Sequence, residues 1–260
     1  MLKGMWEKMQ VKKSHELFRR QQFRDRLNAV KKELGGSVNF YSYSTLGNLI
    51  HLDNLLCDVN LRAEDVLTLG TFNDIGGADG DIAFYCEFLG ATKVNLVDHA
   101  PTNFNGLVGA MKLKEALNSG VNIIDIDLDT ANGWEIVEEA ETSIFLGILY
   151  HLQNPFLALS QLSKKSKYLL LSTKVFDVLN GMRISGRPCA YFYNSGECNN
   201  DPTNWWCFTD ECLKRMIDRS GWEIIAYKRM GCDKNADPVD SRKDGRAFAY
   251  LKSKSFDNKA

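Results

Sequence analysis

From residue 71 onward, short apolar runs rich in β-branched residues recur with room for a helix between most of them. The runs span 71–75, 93–97, 121–126, 143–149, 168–173, 222–227 and 247–251. Stretches 81–89, 104–117, 156–163 and 209–220 have helical length and pattern. Parallel strands need a crossover of about a dozen residues, usually a helix. This alternation therefore predicts an α/β chain, a mainly parallel sheet with helices on both faces. Two helix starts have a local cause. Asn154 is expected to cap the first turn of one helix, with Pro155 at the first helical position, where its missing N–H costs nothing. Thr209 is expected to cap the other, with Asp210 and Glu211 near the positive helix end and Gly221 just past the far end. Residues 175–206 fit no regular element. A stretch of that length in a compact domain predicts a lid or a binding insertion.

Composition is compatible with such a core. Of 260 residues, 44% are hydrophobic and only five are Pro, which excludes a disordered or collagen-like chain. No apolar run approaches the ~20 residues of a membrane span, so no membrane partner is expected. Residues 1–10 lack the apolar centre of a secretory signal. Seven Cys, scattered and without a CxxC, read as reduced thiols of a cytoplasmic protein. Cys198, Cys207 and Cys212 match no common zinc spacing, so no metal is expected.

Charge is uneven. Residues 1–34 hold ten Lys and Arg against four acids, a surplus of +6 that leaves −7 for the rest of a chain whose net charge is −1. A basic arm can contact nucleic acid. The other reading is a solvated helix whose thin stripe, Leu27, Val30 and Leu34, packs on its own body or on a second copy of the chain, making a homodimer. The division expected is a basic helical arm (1–36), a helical cap (37–65) whose Leu49, Leu52, Leu55 and Leu56 form one apolar face, a main domain (66–252) and a tail (253–260).

The informative motif is Asn73-Asp74-Ile75-Gly76-Gly77-Ala78-Asp79-Gly80, between an expected strand and an expected helix. Glycines at such a turn let the backbone approach a ligand and aim N–H groups at it. Asp98 ends the next strand, 24 residues after Asp74. That is about the spacing at which a doubly wound sheet grips a ribose diol, and a carboxylate can accept both hydroxyl hydrogens. A purely structural turn is the alternative. Asp125, Asp127 and Asp129 alternate, which puts them on one side if the third strand extends that far. Asp127 could then receive an adenine amino group, with Ile126 and Leu128 packing on the base.

The run Phe145-Leu146-Gly147-Ile148-Leu149-Tyr150-His151-Leu152-Gln153-Asn154-Pro155 resembles the signature of one branch of the class I S-adenosylmethionine (SAM) dependent methyltransferases. That branch includes the tRNA wobble-uridine methyl- and carboxymethyltransferases and relatives acting on sugars and small molecules. The glycine turn, Asp98, this run, Asn204-Trp205-Trp206 and Arg246-Ala247-Phe248 follow the family order, and the resemblance covers about residues 66–252. It implies a Rossmann-like seven-stranded sheet with the last strand antiparallel beside the sixth, and SAM at the carboxyl ends of the first strands. Asp74, Gly76, Gly77, Ala78 and Gly80 would approach the methionine portion and ribose. Asp98 would hold the ribose and Asp127 would contact the adenine; by position, His99 beside Asp98 reads as an adenine or rim contact, and Leu128 as packing on the base. Leu146 and Tyr150 would line the pocket near the transferred carbon, and Arg246, a substrate-side residue, matches with Tyr150 the family contacts near the carboxylate of a modified SAM.

Two departures stand out. The middle glycine of the turn is Ala78, tolerable if its φ is negative. Residues 38–65 contain no Lys and no Trp, where the carboxymethyl-transferring enzymes carry cationic contacts, so plain SAM is the expected donor. Of four His, His151 at the end of the fourth strand is the best general base, because imidazole titrates near neutrality, with Tyr150 as the second catalytic candidate; a capping or packing role for His151 is the alternative. In the insertion, Tyr191, Tyr193, Asn204, Trp205 and Trp206 mix polar and aromatic groups as a small-molecule pocket does. The function expected is methyl transfer to a hydroxyl or amine of a sugar, nucleoside or other small metabolite. A tRNA-modifying enzyme and a non-catalytic SAM-binding protein are the alternatives.

Overall fold

A computed structural model describes residues 2–232 and 234–258, with side chains described from Ser14 onward except that of Asn258. The arm's Lys3, Glu7, Lys8, Lys12 and Lys13 side chains, and residues 259–260 of the tail, lie outside the described residues.

The arm is one helix, α1 (Leu2–Leu34), ended at Gly35. Helices α2 (Leu49–Leu56) and α3 (Ala63–Leu67) follow. Then come β1 (Thr71–Ile75), α4 (Asp81–Leu89), β2 (Lys93–Asp98), α5 (Val108–Leu117), β3 (Asn122–Asp125), β4 (Ala140–Leu146), α6 (Pro155–Lys165) and β5 (Ser166–Val175). After an irregular stretch with short strands β6 (Val178–Leu179), β7 (Met182–Arg183), β8 (Ala190–Phe192) and β9 (Trp206–Phe208) come α7 (Asp210–Arg219), β10 (Trp222–Gly231) and β11 (Gly245–Ser253). The sheet order is β3-β2-β1-β4-β5-β11-β10; β1 to β5 pair in parallel, and β11 lies antiparallel to both its neighbours.

Strand alternation sends side chains to two cores. Phe72, Val94, Leu96, Leu170, Phe248 and Tyr250 face α1 to α5, whereas Ile75, Val97, Leu169, Leu171 and Leu251 face Trp134, α6 and α7. The helical-cap leucines Leu49, Leu52, Leu55 and Leu56 are all buried in the first core.

The apolar stripe of α1 is laid on its own body. Phe23 and Leu27 are buried, and Val30 and Leu34 pack against the first core. Three of its cations pair with body carboxylates: Arg20 with Asp53 at 2.6 Å and Glu64 at 3.1 Å, Arg19 with Glu64 at 2.7 Å, and Lys31 with Asp81 at 2.8 Å. Among the described residues, part of the arm's basic charge thus meets part of the body's acidic charge inside one molecule. Among the described residues, no helix is long and apolar enough to cross a membrane.

The structure corrects several expectations. Asn154 makes no side-chain cap; its amide donates to the Asp129 carbonyl at 3.2 Å, while Pro155 does open α6. Thr209 caps α7 as expected, its hydroxyl accepting from Cys212 N at 3.3 Å. Helix α5 starts at Val108 rather than Phe104, because Gly106 and Leu107 both have positive φ. The fourth strand stops at Leu146, and Leu149–His151 is a 3-10 turn. The third strand ends at Asp125, so Asp125, Asp127 and Asp129 do not form one face. Residues 175–206 are not structureless: β6 and β7 form a hairpin, and β8 pairs with β9, which joins β5 through Val175 and Phe208.

Candidate active site

The carboxyl ends of β1, β2, β4 and β5 lie along one edge of the sheet, the edge where open α/β sheets bind ligands. Gly76 turns the chain there with φ +69°, its N–H donating to the Val97 carbonyl at 2.7 Å. A Cβ at Gly76 would lie 2.3 Å from Ile148, so only bare backbone fits between the ends of β1 and β4. Ala78 has φ +58°, opposite to the sign that makes alanine easy. The left-handed region costs an alanine about 1 kcal/mol. The turn holds it by its neighbours: the Ala78 carbonyl accepts from Asn103 Nδ2 at 3.3 Å, and its N–H faces Asp98.

Four carboxylates crowd this turn. Asp74 is buried and accepts from Ala83 N at 3.1 Å. Burial, with Asp98 and Asp81 nearby, pushes its carboxyl up to about 7. Asp79 accepts from Lys31 Nζ at 3.1 Å, Tyr41 N at 2.9 Å and Asn105 Nδ2 at 2.8 Å. Asp81 accepts from the Ser44 hydroxyl at 2.6 Å. Helix α1 therefore reaches the turn directly, through Lys31. Asp98 accepts from its neighbour His99 N at 2.8 Å through Oδ1 and from Asn103 Nδ2 at 2.9 Å through Oδ2. Burial raises the Asp98 carboxyl, and the hydrogen bonds it accepts oppose that rise. His99 Nδ1 lies 3.4 Å from Asp125 Oδ1, at the rim.

On the far side of Gly76, the 3-10 turn after β4 carries Tyr150 and His151. Tyr150 is buried, and the Arg246 guanidinium lies 5.6 Å from its ring centre. Arg246 Nε donates to Asp244 at 3.1 Å, and Lys174 Nζ reaches the other oxygen of that carboxylate at 2.9 Å. The Tyr150 carbonyl accepts from Trp205 N at 2.8 Å, which ties the insertion to the turn. His151 Nδ1 lies 2.9 Å from Thr203 Oγ1, and the Thr203 hydroxyl donates to Asp201 at 2.6 Å. Burial lowers the His151 pKa.

The structure thus brings Asp74, Gly76, Gly77, Ala78, Gly80, Asp98, His99, Leu146, Tyr150, His151, Trp205 and Arg246 to one edge. It does not bring the whole sequence set there. Asp127 stays near this edge, half-buried just past the carboxyl end of β3, where Ile126 N donates to the Asp98 carbonyl; its Oδ1 accepts from Asp129 N at 2.9 Å, and Leu128 beyond it is buried in the second core. Tyr193 belongs to the insertion's own core with Phe176, Cys198 and Cys207, its hydroxyl donating to the Pro238 carbonyl at 2.7 Å. Asn204 is buried and donates to the Cys198 carbonyl at 3.1 Å. Tyr191 donates to Glu197 at 2.6 Å. Trp206 lines an open apolar groove of about 650 Å³ with Phe156, Phe208 and Met216.

Residues that sequence patterns did not mark also reach the edge. Tyr41 and Tyr43 stack edge-on at 5.5 Å. Burial pushes the Tyr41 hydroxyl up to about 12, with the Asp98 charge adding to it; Tyr43 is raised by burial, with Tyr150 and Asp98 adding and Arg246 opposing. Their signal in sequence is only an i, i+2 aromatic pair. Asn103 and Thr203 carry no signal, because each matters through a partner brought close by the fold. Among the described residues, no group of three His, Cys, Asp or Glu could hold a metal ion.

No protein-family model and no curated protein matches the chain. Solved structures do. The N-terminal domain of EvdMO1 with SAH bound is 13% identical with a TM-score of 0.54, covering 88% of this chain and 96% of that one. The [4+2]-cyclase SpnF is 13% identical with a TM-score of 0.54, covering 89% and 94%. An S-adenosylmethionine-dependent methyltransferase from Clostridium acetobutylicum is 9% identical with a TM-score of 0.51, covering 89% and 98%. One of the three is named as a cyclase, so the shared architecture does not by itself fix a reaction. By strand order, by the antiparallel β11 and by these likenesses, the chain has the Rossmann-like, mostly parallel α/β fold of these structures.

Proposed function

We propose that the chain is a SAM-dependent methyltransferase acting on a hydroxyl or amine of a small molecule. The observation that carries this is Asp98: a carboxylate at the end of β2, facing the Ala78 N–H of the glycine turn, with Asn103 donating to its Oδ2 at 2.9 Å. The donor set suits a ribose. Asn103 supplies from a side chain the kind of N–H or O–H that a diol would supply in its place. Solved structures of this fold include one with SAH bound and one of a SAM-dependent methyltransferase, which supports the same reading.

SAM, when bound, supplies an electrophilic methyl group on a positively charged sulfur. The residues here suit that charge: Tyr41, Tyr43 and Tyr150 offer aromatic faces, which attract cations. Asp98 holds the ribose, Gly76 and Gly77 let backbone approach the ligand, and Leu146 and Tyr150 line the reacting end. His151 takes the proton of the attacking group. Positioning supplies much of the acceleration in such a transfer. Plain SAM is the donor in this reading, since residues 38–65 contain no Lys or Trp and Arg246 is already engaged by Asp244. A small-molecule acceptor is favoured over tRNA because Arg19, Arg20 and Lys31 of the arm are paired with the chain's own carboxylates.

Calorimetric titration with SAM and SAH tests the reading. Micromolar binding is expected, weakened about 100-fold or more in Asp98→Ala, about 2.7 kcal/mol. Failure of the wild-type chain to bind either ligand would refute it.

A further inference from the structure

His151 is held by two acceptors. Its Nδ1 lies 2.9 Å from Thr203 Oγ1 and 3.3 Å from the Thr203 carbonyl oxygen. The carbonyl can only accept. The hydroxyl has one hydrogen, and it is directed at Asp201 Oδ1, 2.6 Å away; the same carboxylate oxygen receives Thr203 N–H at 2.9 Å. A carboxylate cannot donate, so the hydroxyl oxygen is left to accept. Both neighbours of Nδ1 therefore require a hydrogen on it, and a neutral ring then keeps its lone pair on Nε2.

We propose that Thr203 and Asp201 are positioning residues that fix His151 in the Nδ1–H tautomer and leave Nε2 as the proton acceptor for the methyl-accepting group. The role of the base rests on the methyltransferase reading above; the tautomer and its partners do not. In the step assigned, the O–H bond of the acceptor breaks, its electron pair stays on oxygen as the nucleophile, and the proton binds Nε2. The ring becomes an imidazolium donating from Nδ1 to Thr203, and Asp201 balances its charge through the hydroxyl. The proton then leaves to solvent, restoring the neutral ring. The tie spans 52 residues of sequence, so the base is complete only when the insertion is seated on the turn after β4.

The groups facing His151 act in both directions. The Tyr150 ring lies 4.2 Å from its ring centre, Asp201 favours the charged form, and Arg246 and Lys174 oppose it. Burial lowers its pKa, which keeps it neutral and able to accept a proton at pH 7. Removing the Asp201 charge must lower the pKa further.

The full chain, labelled with ¹⁵N-histidine and free of ligand, tests this by long-range ¹H–¹⁵N correlation, with His151 assigned from His151→Asn. The wild type is expected as Nδ1–H, and so is Thr203→Ser. Asp201→Asn and Thr203→Val are expected to lower the His151 titration midpoint by about 0.5 pH unit or more, while Thr203→Ser leaves it in place. An Nε2–H tautomer in the wild type, or midpoints that do not move, would overturn the proposal. SAM titration of the same variants reports the other half of the site: unchanged affinity confines the change to His151. A wild-type chain that binds no SAM but keeps the tautomer and the shifts overturns the methyltransferase reading alone and leaves the positioning of His151 standing.

Discussion

The two halves of the candidate site are built differently. The half at the ends of β1 and β2 hangs from the parallel sheet. Its turn is pinned by a backbone hydrogen bond to β2, by packing against Ile148 and by carboxylates that Lys31 and Ser44 hold. The half beyond β4 is completed by the insertion, whose strands are two or three residues long. There the structure depends on side chains reaching across the chain: Thr203 to His151, Tyr193 to Pro238 and Arg229 to Asp177. The difference follows from cooperativity. A sheet edge repeats one backbone pattern and is stabilised along its whole length, whereas an insertion with little ladder needs individual side-chain ties, each with one partner. In the function proposed above, the first half would hold the cofactor and the second would meet the acceptor.

The largest expected effect would break the second half alone. Arg229 on β10 is mostly buried between Asp177, 2.9 Å from Nη2, and Asp210 at the start of α7, 2.5 Å from Nη1. Arg229→Ala leaves both carboxylates without that cation. It should cost about 3–5 kcal/mol of stability in urea unfolding, with faster hydrogen exchange in the insertion and little change in exchange at β1 and β2. Equal loosening at both ends would mean the halves are one cooperative unit.

A second effect belongs to the first half. The Asp74 carboxyl has an ordinary value of 3.8 in the unfolded chain and is pushed up to about 7 by burial. Between those values the folded chain binds more protons than the unfolded one. Stability is thus greatest below the lower value and falls as pH rises to about 7. Asp74→Asn keeps an acceptor for Ala83 N–H and removes this dependence. The variant should lose less stability than the wild type between pH 5 and 8; parallel melting curves for the two would show that Asp74 is ionised throughout.

The smallest effect links the arm to the turn. Lys31→Ala removes the cation shared by Asp79 and Asp81. SAM affinity should fall about threefold, measured by calorimetry, with the His151 tautomer unchanged. A tautomer that moved with Lys31 would erase the distinction between the halves.

The elements of the sheet were legible because periodicity and composition are local: the expected span 71–75 is β1 itself, and Thr209 caps α7 by a bond within four residues. Boundaries slipped where local and tertiary demands differ. The apolar run through Leu149 reads as one strand, but the chain leaves the sheet after Leu146, and Gly147 takes φ +77°. Asp127 and Asp129 alternate as if extended, yet Asp129 is drawn to the N–H groups of Gln153 and Asn154, at 3.0 and 2.6 Å.

The sequence by itself determined the alternation of strands and helices, the glycine turn between β1 and α4, and an acid at the end of β2, because each is written in neighbouring residues. Only the tertiary structure decided that the basic arm folds onto its own acidic body, that Ala78 adopts a positive φ, that Tyr193 and Asn204 serve the insertion rather than its surface, and that Asn103, Thr203 and Asp201 meet Asp98 and His151. Those outcomes depend on which distant groups are brought within about 3 Å of each other, a distance at which charge and hydrogen bonding override local preference.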